Sequence, residues 1–581
     1  MIIPLELKKM LNGDYGSTKQ KAARLVVDLA STAGATEFIK CTNAHVSGVS
    51  PLTGGHGLRR FLQDLAGDES GTVEIPTTLN SAGCDKEKMK EMDILAEDFL
   101  EHQFEIIRSY SKLGIDATLS CTPYDGGVEV EGIGSWAESN AVAFSNSYTS
   151  LITNRESGLS ALSTALTGWA PRWGLHLEEN RIPNIHVIVD CDLEYIADWS
   201  ILGDWIGKQI QPEWKLPWGM MPYITGLQSN VSFEQKKALT AAAANYGCPM
   251  LWADGITEKP VLKTSWAPQG TLLFTTEMLI NRYEELSPTG QVDLVVIGCP
   301  QASVGEVRTT AAAVRNRMEL GQKISNQRLW IFTSGYNHKL LEQEGTLDVL
   351  EEAGALILKD TCPEVTPYNR EKYNHILTNS LKAEHYLTSG LNRMPTSVMR
   401  ILDCVAHAFI PTLSAGTRPT LGSKAKKRFP TNKKHQVDDY ISEGCGLPSQ
   451  SEWNVKGKAL VTDVPITYLG YVNRDTGVIE EDGHPLDGIS IKDTILIYPK
   501  GSGSTVAPFV LMGLIYTGNG PKAIINNDVC PLTLPACSLL NLPYAYDLSK
   551  NPCGGINTGD ELEMTLSEGV VSLKVLVRVN D

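Results

Sequence analysis

The sequence predicts an α/β fold with mainly parallel sheets, followed by a smaller domain rich in β-strands. Strand-like apolar runs alternate with helical patterns up to about Leu413, which is typical of βαβ units. From about Val455 onward, strand patterns dominate. A chain of 581 residues is also longer than one hydrophobic core usually serves. We therefore predict an α/β region over residues 1–415, a linker over 416–454 and a β-rich domain over 455–581.

The predicted elements of the α/β region follow from periodicity and turn residues. Residues 5–33 have helical periodicity that is interrupted at 13–16, which predicts two helices around a turn. Residues 86–112 have the amphipathic pattern of one helix. Apolar runs bounded by turn residues predict strands at 115–120, 185–191, 271–276, 293–298, 329–334 and 355–359.

The linker and the second domain are distinguished by composition. Ser, Thr, Gly and Pro replace the periodic pattern between residues 413 and 448, and this stretch contains the basic cluster 424–428. A short Lys/Arg run of this kind is more often a solvated linker than a localisation signal. The strands predicted beyond the linker begin at Lys458, Thr494, Ala523 and Val570.

Composition excludes several classes of partner. The net charge of −16 and the pI near 5.3 describe an acidic surface, which repels nucleic acid and anionic lipid. No apolar run approaches membrane-spanning length, and the N-terminus lacks the pattern of a signal peptide. Twelve cysteines are too few for a disulfide scaffold in a chain of this length. We expect a cytoplasmic monomer that acts on a small molecule.

Three cysteines share one local pattern, in which a strand-like run ends at a Cys beside a Pro. These are Cys121, Cys299 and Cys362. Proline donates no N–H, so the chain is expected to leave the sheet there and to present the thiol at the carboxyl end of the strand. That edge is where open α/β sheets bind ligands. Three such thiols suggest one shared ligand in space.

Three matched thiols favour an iron–sulfur cluster with one open iron over a structural zinc, which normally has four protein ligands. An open iron is a Lewis acid that helps a hydroxyl to leave. The alternative is that all three are buried structural thiols. Cys84 is either a fourth ligand or a pocket residue, and the sequence leaves this open.

Other polar residues have both a functional and a structural interpretation. Ser504 lies in a Gly-Ser-Gly-Ser turn between a strand and a helical run, where it is either a base or a helix N-cap. Lys382 either pairs with a carboxylate or is a solvated helical lysine. Asn80 and Ser81 either bind a polar ligand or cap a turn. The Gly- and Ser-rich loop near Gly48 is either an anion-binding loop or a plain connection.

Several motifs, in order along the chain, resemble the large subunit of aconitase X. They are Ala44-His-Val-Ser-Gly-Val-Ser50, Pro76-Thr-Thr-Leu-Asn80, Cys121-Thr-Pro123, Ile297-Gly-Cys-Pro300, Asp360-Thr-Cys362 and Thr378-Asn-Ser380 with Lys382. Three further motifs resemble its small, swivelling subunit: Gly477 to Ile479, His484-Pro-Leu-Asp-Gly488 and Gly501-Ser-Gly-Ser504. Together they suggest a fused, single-chain form.

The resemblance implies an aconitase-like fold, with a large multi-sheet catalytic region and a swivelling domain that closes over the site. It implies an iron–sulfur cluster (2Fe-2S, or 3Fe-4S/4Fe-4S) on Cys121, Cys299 and Cys362, with Ser504 as proton acceptor. It also implies the following substrate contacts: Gly48, Val49, Ser50, Asn80, Ser81 and Lys382.

Within the family, one branch dehydrates mevalonate 5-phosphate and the other, typically fused, dehydrates cis-3-hydroxy-L-proline to 1-pyrroline-2-carboxylate. The archaeal-like pattern Asn-Pro-Ala-Gly-Met is replaced here by Asn80-Ser-Ala-Gly-Cys84, a change that argues for a different substrate from that of the archaeal enzymes. We therefore expect the hydroxyproline dehydratase. The alternatives are mevalonate 5-phosphate dehydratase and, in another class, a non-catalytic iron–sulfur sensor or a zinc-stabilised binding protein.

Overall fold

The structure is a computed structural model that describes residues 1–579 apart from 95, 97, 128–129, 210, 212–213, 215, 258–265 and 411–439. It contains three parallel sheets of four or five strands, with helices between the strands, and a closed β-barrel formed by the tail of the chain. The predicted fold class, α/β with a smaller β-rich unit, is confirmed. Residues 416–439 of the predicted linker, with the basic cluster, lie outside the described residues.

The first sheet is parallel and has the strand order β3-β2-β4-β5. Its strands are β2 (Asn43–Val46), β3 (Thr77–Leu79), β4 (Glu131–Trp136) and β5 (Ser150–Arg155). A separate antiparallel pair joins β1 (Phe38–Lys40) and β6 (Trp169–Pro171). The helices of this part are α1 (Leu5–Asn12), α2 (Ser17–Thr32), α3 (Pro51–Ala66), α4 (Phe99–Lys112), α5 (Ser139–Tyr148) and α6 (Gly158–Thr167). The two predicted N-terminal helices are confirmed, since Gly13 ends α1 in the left-handed conformation.

The second sheet is parallel and has the order β10-β7-β8-β9. Its strands are β7 (Ile185–Asp190), β8 (Pro222–Thr225), β9 (Trp252–Ala253) and β10 (Gly270–Thr275). The accompanying helices are α7 (Ile196–Lys208), α8 (Phe233–Ala244) and α9 (Thr276–Leu286).

The third sheet is also parallel and has the order β13-β12-β11-β14-β15. Its strands are β11 (Leu294–Ala302), β12 (Leu329–Thr333), β13 (Leu356–Lys359), β14 (Ile376–Thr378) and β15 (Thr396–Val398). Its helices are α10 (Val304–Glu319), α11 (Gly335–Gln343), α12 (Thr346–Glu352), α13 (Leu381–Thr388) and α14 (Ile401–Phe409). The central strand β11 is buried along its whole length, as expected for a sheet covered on both faces.

The barrel has the strand order β16-β20-β19-β18-β17-β21-β22. Its strands are β16 (Ile441–Gly446), β17 (Trp453–Val461), β18 (Ile495–Tyr498), β19 (Ala523–Asn526), β20 (Tyr544–Tyr546), β21 (Glu561–Ser567) and β22 (Val570–Val577). Its helical segments are α15 (Tyr468–Tyr471), α16 (Ala507–Tyr516), α17 (Leu534–Leu539) and α18 (Pro552–Gly555). Strand β16 falls within the range predicted as linker.

The barrel packs on the first sheet through α16, which lies against α3. One apolar cluster runs across this contact and includes Leu58 and Leu62 on one side and Phe509 on the other. The backbones approach closely, because a Cβ on Gly57 would lie 2.4 Å from the backbone nitrogen of Gly513. Burial of a phenylalanine side chain such as Phe509 contributes roughly 1.5–3 kcal/mol. The contact therefore holds the barrel against the α/β part of the chain.

Three local predictions are wrong. The described residues between 86 and 98 are not helical, and Asp93 there has a φ of 56°, which an α-helix does not allow. Residues 115–120 form one β-bridge instead of a strand, because the Thr118 hydroxyl takes the place of a backbone partner for Leu79. Strand β11 does not end at its Cys-Pro corner; the register is interrupted after Ile297 and pairing resumes at Ala302.

None of the helices in the described part of the chain has the length and hydropathy of a membrane span.

Candidate active site

The structure brings the three cysteines of the Cys-Pro pattern together. Cys299 lies in β11, Cys362 follows β13, and Cys121 precedes a short 3₁₀ turn at Pro123–Asp125. The Cys362 thiol is in hydrogen-bond contact with the thiols of Cys121 and Cys299. All three side chains are buried. The three thiols are therefore neighbours, but among the described residues Cys121 lies outside the group of donor atoms that are all within 4.8 Å of one another.

A carboxylate joins two of these thiols. In the described residues, the donor atoms of Cys299, Cys362 and Glu364 lie within 4.8 Å of one another. Cys84 belongs to the same apolar cluster but lies outside this group of donors. Burial raises the pKa of the Cys121 and Cys299 thiols, so both are protonated at neutral pH. A metal that binds here must displace those protons.

The surroundings of the thiols fit an iron–sulfur cluster. The backbone N–H of Gln301 donates to Cys121 Sγ at 3.3 Å, which is a bond that cluster ligands commonly receive. The hydroxyls of Thr361 and Tyr368 are buried and have no hydrogen-bond partner among the described residues. Buried hydroxyls are seldom left without a partner, and sulfur atoms of a cluster accept such bonds. Three soft thiols in an apolar environment suit iron and sulfide.

A cavity of about 40 Å³ lies beside the thiols. Glu364, whose carboxylate is 3.9 Å from Cys299 Sγ, forms part of its wall. The residues predicted to contact substrate in the first part of the chain all line it: Gly48, Val49, Ser50, Asn80 and Ser81. Each of them lies in a loop after a parallel strand, β2 or β3, as ligand residues in open α/β sheets do.

The loop after β2 is fixed to the segment that follows Cys362. Ser50 is the N-cap of α3, since its hydroxyl accepts from the Leu52 N–H at 3.2 Å. The same hydroxyl donates to the Val365 carbonyl at 3.0 Å. Ser50 thus both caps α3 and forms part of the cavity wall. The N-terminus of α3 consequently faces the region of the thiols.

Lys382 lies behind the cavity and does not form part of its wall. Its ammonium is 3.2 Å from Glu138, 3.2 Å from the Ser139 hydroxyl and 3.9 Å from Glu364. Ser380 caps α13 and so fixes the turn that carries Lys382. The lysine is fully buried, which excludes the solvated-helix interpretation.

The charges of this buried group depend on one another. Burial alone would raise the pKa of Glu138, but the Lys382 ammonium and the amides of Asn140 and Asn80 hold it below its usual value. Burial raises the pKa of Glu364 to about 7, against the attraction of Lys382. Burial would lower the pKa of Lys382, but the two carboxylates hold it well above its usual value. The site therefore contains one fixed cation, one fixed anion and one carboxyl that titrates near neutral pH.

Ser504 reaches the same cavity from the barrel. Its hydroxyl accepts from the Val506 N–H at 3.5 Å, just before α16 begins. The next residue, Thr505, donates to the Ala137 carbonyl at 2.9 Å and accepts from the Gly158 N–H at 3.2 Å, so this loop is bonded to the first part of the chain. In the part of the chain that the structure describes, no basic side chain is shown bonded to the Ser504 hydroxyl.

Several residues of the wall were not predicted from the sequence. They are Ser47, Thr53, Glu138, Glu364, Val365, Tyr386, Leu391, Leu469, Thr505 and Val506. Glu364 had a visible signal, because it follows directly after Cys362-Pro363. Glu138 had none, because its place depends on a pairing with Lys382 that only the folded chain creates.

Comparison with known proteins agrees with this arrangement. Family models described as aconitase X first, second and third domains match residues 5–179, 183–284 and 292–410, and the aconitase X swivel domain matches 449–573. The chain is 33% identical over 384 residues to a phosphomevalonate dehydratase large subunit of Methanothermobacter thermautotrophicus. The aligned region covers 65% of this chain and 92% of that protein. The chain belongs to the aconitase X family. All four regions lie on one polypeptide, as in a fused form.

Two further relatives of this aconitase X chain are informative. It is 32% identical over 406 residues to a cis-3-hydroxy-L-proline dehydratase of Pseudomonas aeruginosa, with 66% of each protein covered. The crystal structure of Thermococcus kodakaraensis aconitase X in its holo-form superposes with a TM-score of 0.62 at 31% identity, over 70% of this chain and 99% of that one. The relatives named here by activity are dehydratases, and the present aconitase X is a hydro-lyase that acts on a small molecule. This decides for an enzyme over a sensor or a binding protein.

Proposed function

We propose that this aconitase X dehydrates cis-3-hydroxy-L-proline to 1-pyrroline-2-carboxylate, with Ser504 as the base and an iron–sulfur cluster on Cys121, Cys299 and Cys362. The charge of the cavity wall is the observation that favours this substrate. Among the described residues that line the cavity, Glu138 and Glu364 are acidic and none is lysine or arginine. The wall is therefore poor in the cations that a phosphate requires.

The two candidate substrates differ in charge. Hydroxyproline carries one carboxylate and one ammonium, so its net charge is zero. Mevalonate 5-phosphate carries a carboxylate and a phosphate, which adds nearly two more negative charges at neutral pH. Burying these charges beside Glu138 and Glu364 would be strongly unfavourable, because no lysine or arginine is among the described residues that line the cavity. An amino acid suits this environment better, because its ammonium pairs with the carboxylates.

The substrate would be held by groups from several loops of the cavity wall. Its carboxylate would lie at the loop Gly48, Val49 and Ser50, where the N-terminus of α3 favours an anion. Asn80 and Ser81 would bond its polar groups from the neighbouring loop. The substrate ammonium would face Glu138 and Glu364. We include Lys382 among the substrate contacts, which it would make by exchanging one of its present carboxylate partners.

The chain itself then provides the proton transfer. Ser504 takes the proton from Cα, the electrons of the C–H bond form a double bond to C3, and the 3-hydroxyl leaves. When bound, the cluster supplies a Lewis-acidic iron with an open position that assists the departure of the hydroxyl. The resulting enamine tautomerises to 1-pyrroline-2-carboxylate. The barrel loop that carries Ser504 also forms part of the cavity wall.

The decisive experiment compares both substrates on one preparation. Anaerobically reconstituted enzyme is assayed with cis-3-hydroxy-L-proline and with mevalonate 5-phosphate, while iron and sulfide per chain are determined. We expect turnover of the amino acid alone. Turnover of only the phosphorylated acid would overturn the substrate proposal and would place this chain with the relatives named phosphomevalonate dehydratase. Iron and sulfide analysis also establishes the cluster type.

A further inference from the structure

A single glutamine side chain is bonded to the loops of two cluster cysteines and belongs to the loop of the third. Gln301 follows Cys299-Pro300 and is fully buried. Its side-chain carbonyl accepts from the Cys121 N–H at 3.1 Å. Its side-chain amide donates to the Leu119 carbonyl at 3.2 Å and to the Thr361 carbonyl at 3.0 Å. One side chain therefore reaches the residues beside Cys121 and Cys362, while its backbone continues from Cys299.

The backbone of Gln301 takes part in the same arrangement. Its N–H donates to Cys121 Sγ at 3.3 Å. Its carbonyl accepts from the ammonium of the buried Lys237 at 2.8 Å, and that lysine is ion-paired with the buried Glu306. The residue is thus fixed from behind by a charged pair that does not touch the cavity. The side-chain amide uses both of its N–H donors and one of the two lone pairs of its carbonyl oxygen.

The loops that Gln301 joins are irregular, with one β-bridge each in the described part of the chain. The segment before Cys121 makes one β-bridge, at Asp116, and Leu119 within it has a φ of 49°. The segment before Cys362 leaves β13 at Asp360, which has a φ of 65°, and makes one β-bridge, between Thr361 and Ala82. Irregular segments of this kind hold a side chain in place only if other bonds fix them. Gln301 supplies such bonds to both.

We infer that Gln301 is the positioning residue that prearranges Cys121, Cys299 and Cys362 for the cluster. The inference rests on the proposed iron–sulfur cofactor. Residues that orient metal ligands typically change metal retention 10–100-fold when they are replaced. We expect the same range here, because loss of the amide frees two of the three loops from their common partner.

The test replaces this glutamine and a matched one elsewhere. Gln301→Leu removes every side-chain bond at similar volume, and Gln301→Glu keeps the acceptor for the Cys121 N–H but places oxygen against the Leu119 and Thr361 carbonyls. Gln103→Leu is the control, because Gln103 is equally buried but bonds the Gly83 N–H at 2.7 Å and the Val49 carbonyl at 2.9 Å, in the cavity loops. Each protein is reconstituted, and the loss of visible cluster absorption is followed in the presence of an iron chelator.

We expect both Gln301 variants to lose the cluster about 10–100-fold faster than the wild type, while Gln103→Leu stays within about twofold. Equal rates for the Gln301 variants and the wild type would overturn the inference. A wild-type protein that takes up no iron at all would overturn the proposed cofactor, and this inference with it, which is a different result from equal retention.

A measurement on the unmodified protein covers the case in which the variants do not fold. Hydrogen–deuterium exchange is compared between the metal-free and the reconstituted wild type, for peptides that contain residues 119–122 and 360–363. If Gln301 prearranges the loops, these peptides are already protected in the metal-free protein. Free exchange that becomes slow only with the cluster would show that the cluster orders the loops, and the inference would be wrong.

Discussion

The ring of Phe509, which belongs to the barrel, lies directly against Gly48 in the cavity wall. A Cβ on Gly48 would come within 2.3 Å of the ring atom Cε2. Gly48 also has a φ of 94°, which side chains rarely adopt. The shape of the loop Gly48 to Ser50, the proposed substrate loop, and the position of the barrel therefore depend on each other at this contact. The cavity exists in this form only while the barrel is docked.

Replacing Gly48 by alanine should push the loop after β2 away from Phe509 of the barrel. The added methyl group cannot share the space with the Phe509 ring, so we expect kcat/KM to fall at least tenfold in a folded protein. Gly34→Ala is the matched control. Gly34 also has a positive φ, of 68°, but nothing lies within 4 Å of its Cβ position. If both variants lose activity equally, backbone strain and not the clash is responsible.

Ser504→Ala should remove the base while leaving the thiols intact. A well-placed general base contributes about 10²–10⁴-fold, so we expect kcat to fall by that factor with unchanged iron content. Ser502→Ala is the control, since the Ser502 hydroxyl bonds Thr467 at 2.5 Å and does not line the cavity. Steady-state kinetics and iron analysis distinguish the two. Activity in Ser504→Ala near that of the wild type would exclude this serine as the base.

Arg474 of the barrel should help to hold the substrate loop. Helix α3 is broken at Gly55, and Arg474 donates to carbonyls of the turn before the break, including that of Thr53 at 3.0 Å. Burial lowers the pKa of Arg474 to about 10, so it remains charged. Removing hydrogen bonds from a charged group costs about 1.5–3 kcal/mol each. We expect Arg474→Met to raise KM roughly tenfold.

The control for this prediction is Arg393→Met. Arg393 also crosses to the barrel, where it donates to the Gly470 and Glu480 carbonyls at 3.2 and 3.1 Å, but it does not contact the substrate loop. We expect a smaller change in KM for this variant. An equal rise in both would mean that barrel docking in general, and not the turn held by Arg474, determines substrate binding.

Asp28 should make stability depend on pH. This residue of α2 accepts hydrogen bonds from the Ser449 and Ser538 hydroxyls of the barrel side, both at 2.6 Å. Burial raises its pKa from an ordinary 3.8 to about 6, although those serines and Arg24 act to lower it. The folded protein therefore holds this proton more tightly than the unfolded chain. The contribution of protonated Asp28 to the free energy of unfolding is present below about pH 4 and is lost as the pH rises through 6.

The rise in the pKa of Asp28 from 3.8 to about 6 corresponds to roughly 3 kcal/mol in the free energy of unfolding. In Asp28→Asn the side chain does not titrate. Raising the pH from 4.5 to 7.5 should therefore lower the thermal midpoint less in this variant than in the wild type. Thermal unfolding of both proteins, in the same metal state, provides the comparison. Identical pH profiles would show that Asp28 does not titrate across this range.

The parts of the site that could be predicted are those that depend on residues close together in the sequence. Gly48, Asn80 and Ser504 each follow a short apolar run and small turn residues, and each lies after a strand in the folded chain. Periodicity likewise located α16 and β18 around Ser504. Position along a strand is enough to place such residues at one edge of a sheet.

The parts that could not be predicted depend on contacts between distant residues. Lys382 bonds Ser139, which is 243 residues away, and the neighbouring Glu138, and the sequence around Lys382 indicates neither partner. The predicted strand at 115–120 failed because the Thr118 hydroxyl replaces a backbone partner, a choice that strand propensity does not include. Neither event leaves a signal in the nearby sequence.

The contact between Phe509 and Gly48 joins two surfaces that one polypeptide carries. Their encounter is intramolecular, so its effective concentration depends on the connecting segment and not on how much protein is present. Dilution should leave the fraction of assembled catalytic centres unchanged, whereas an enzyme whose halves are separate molecules would dissociate and lose activity.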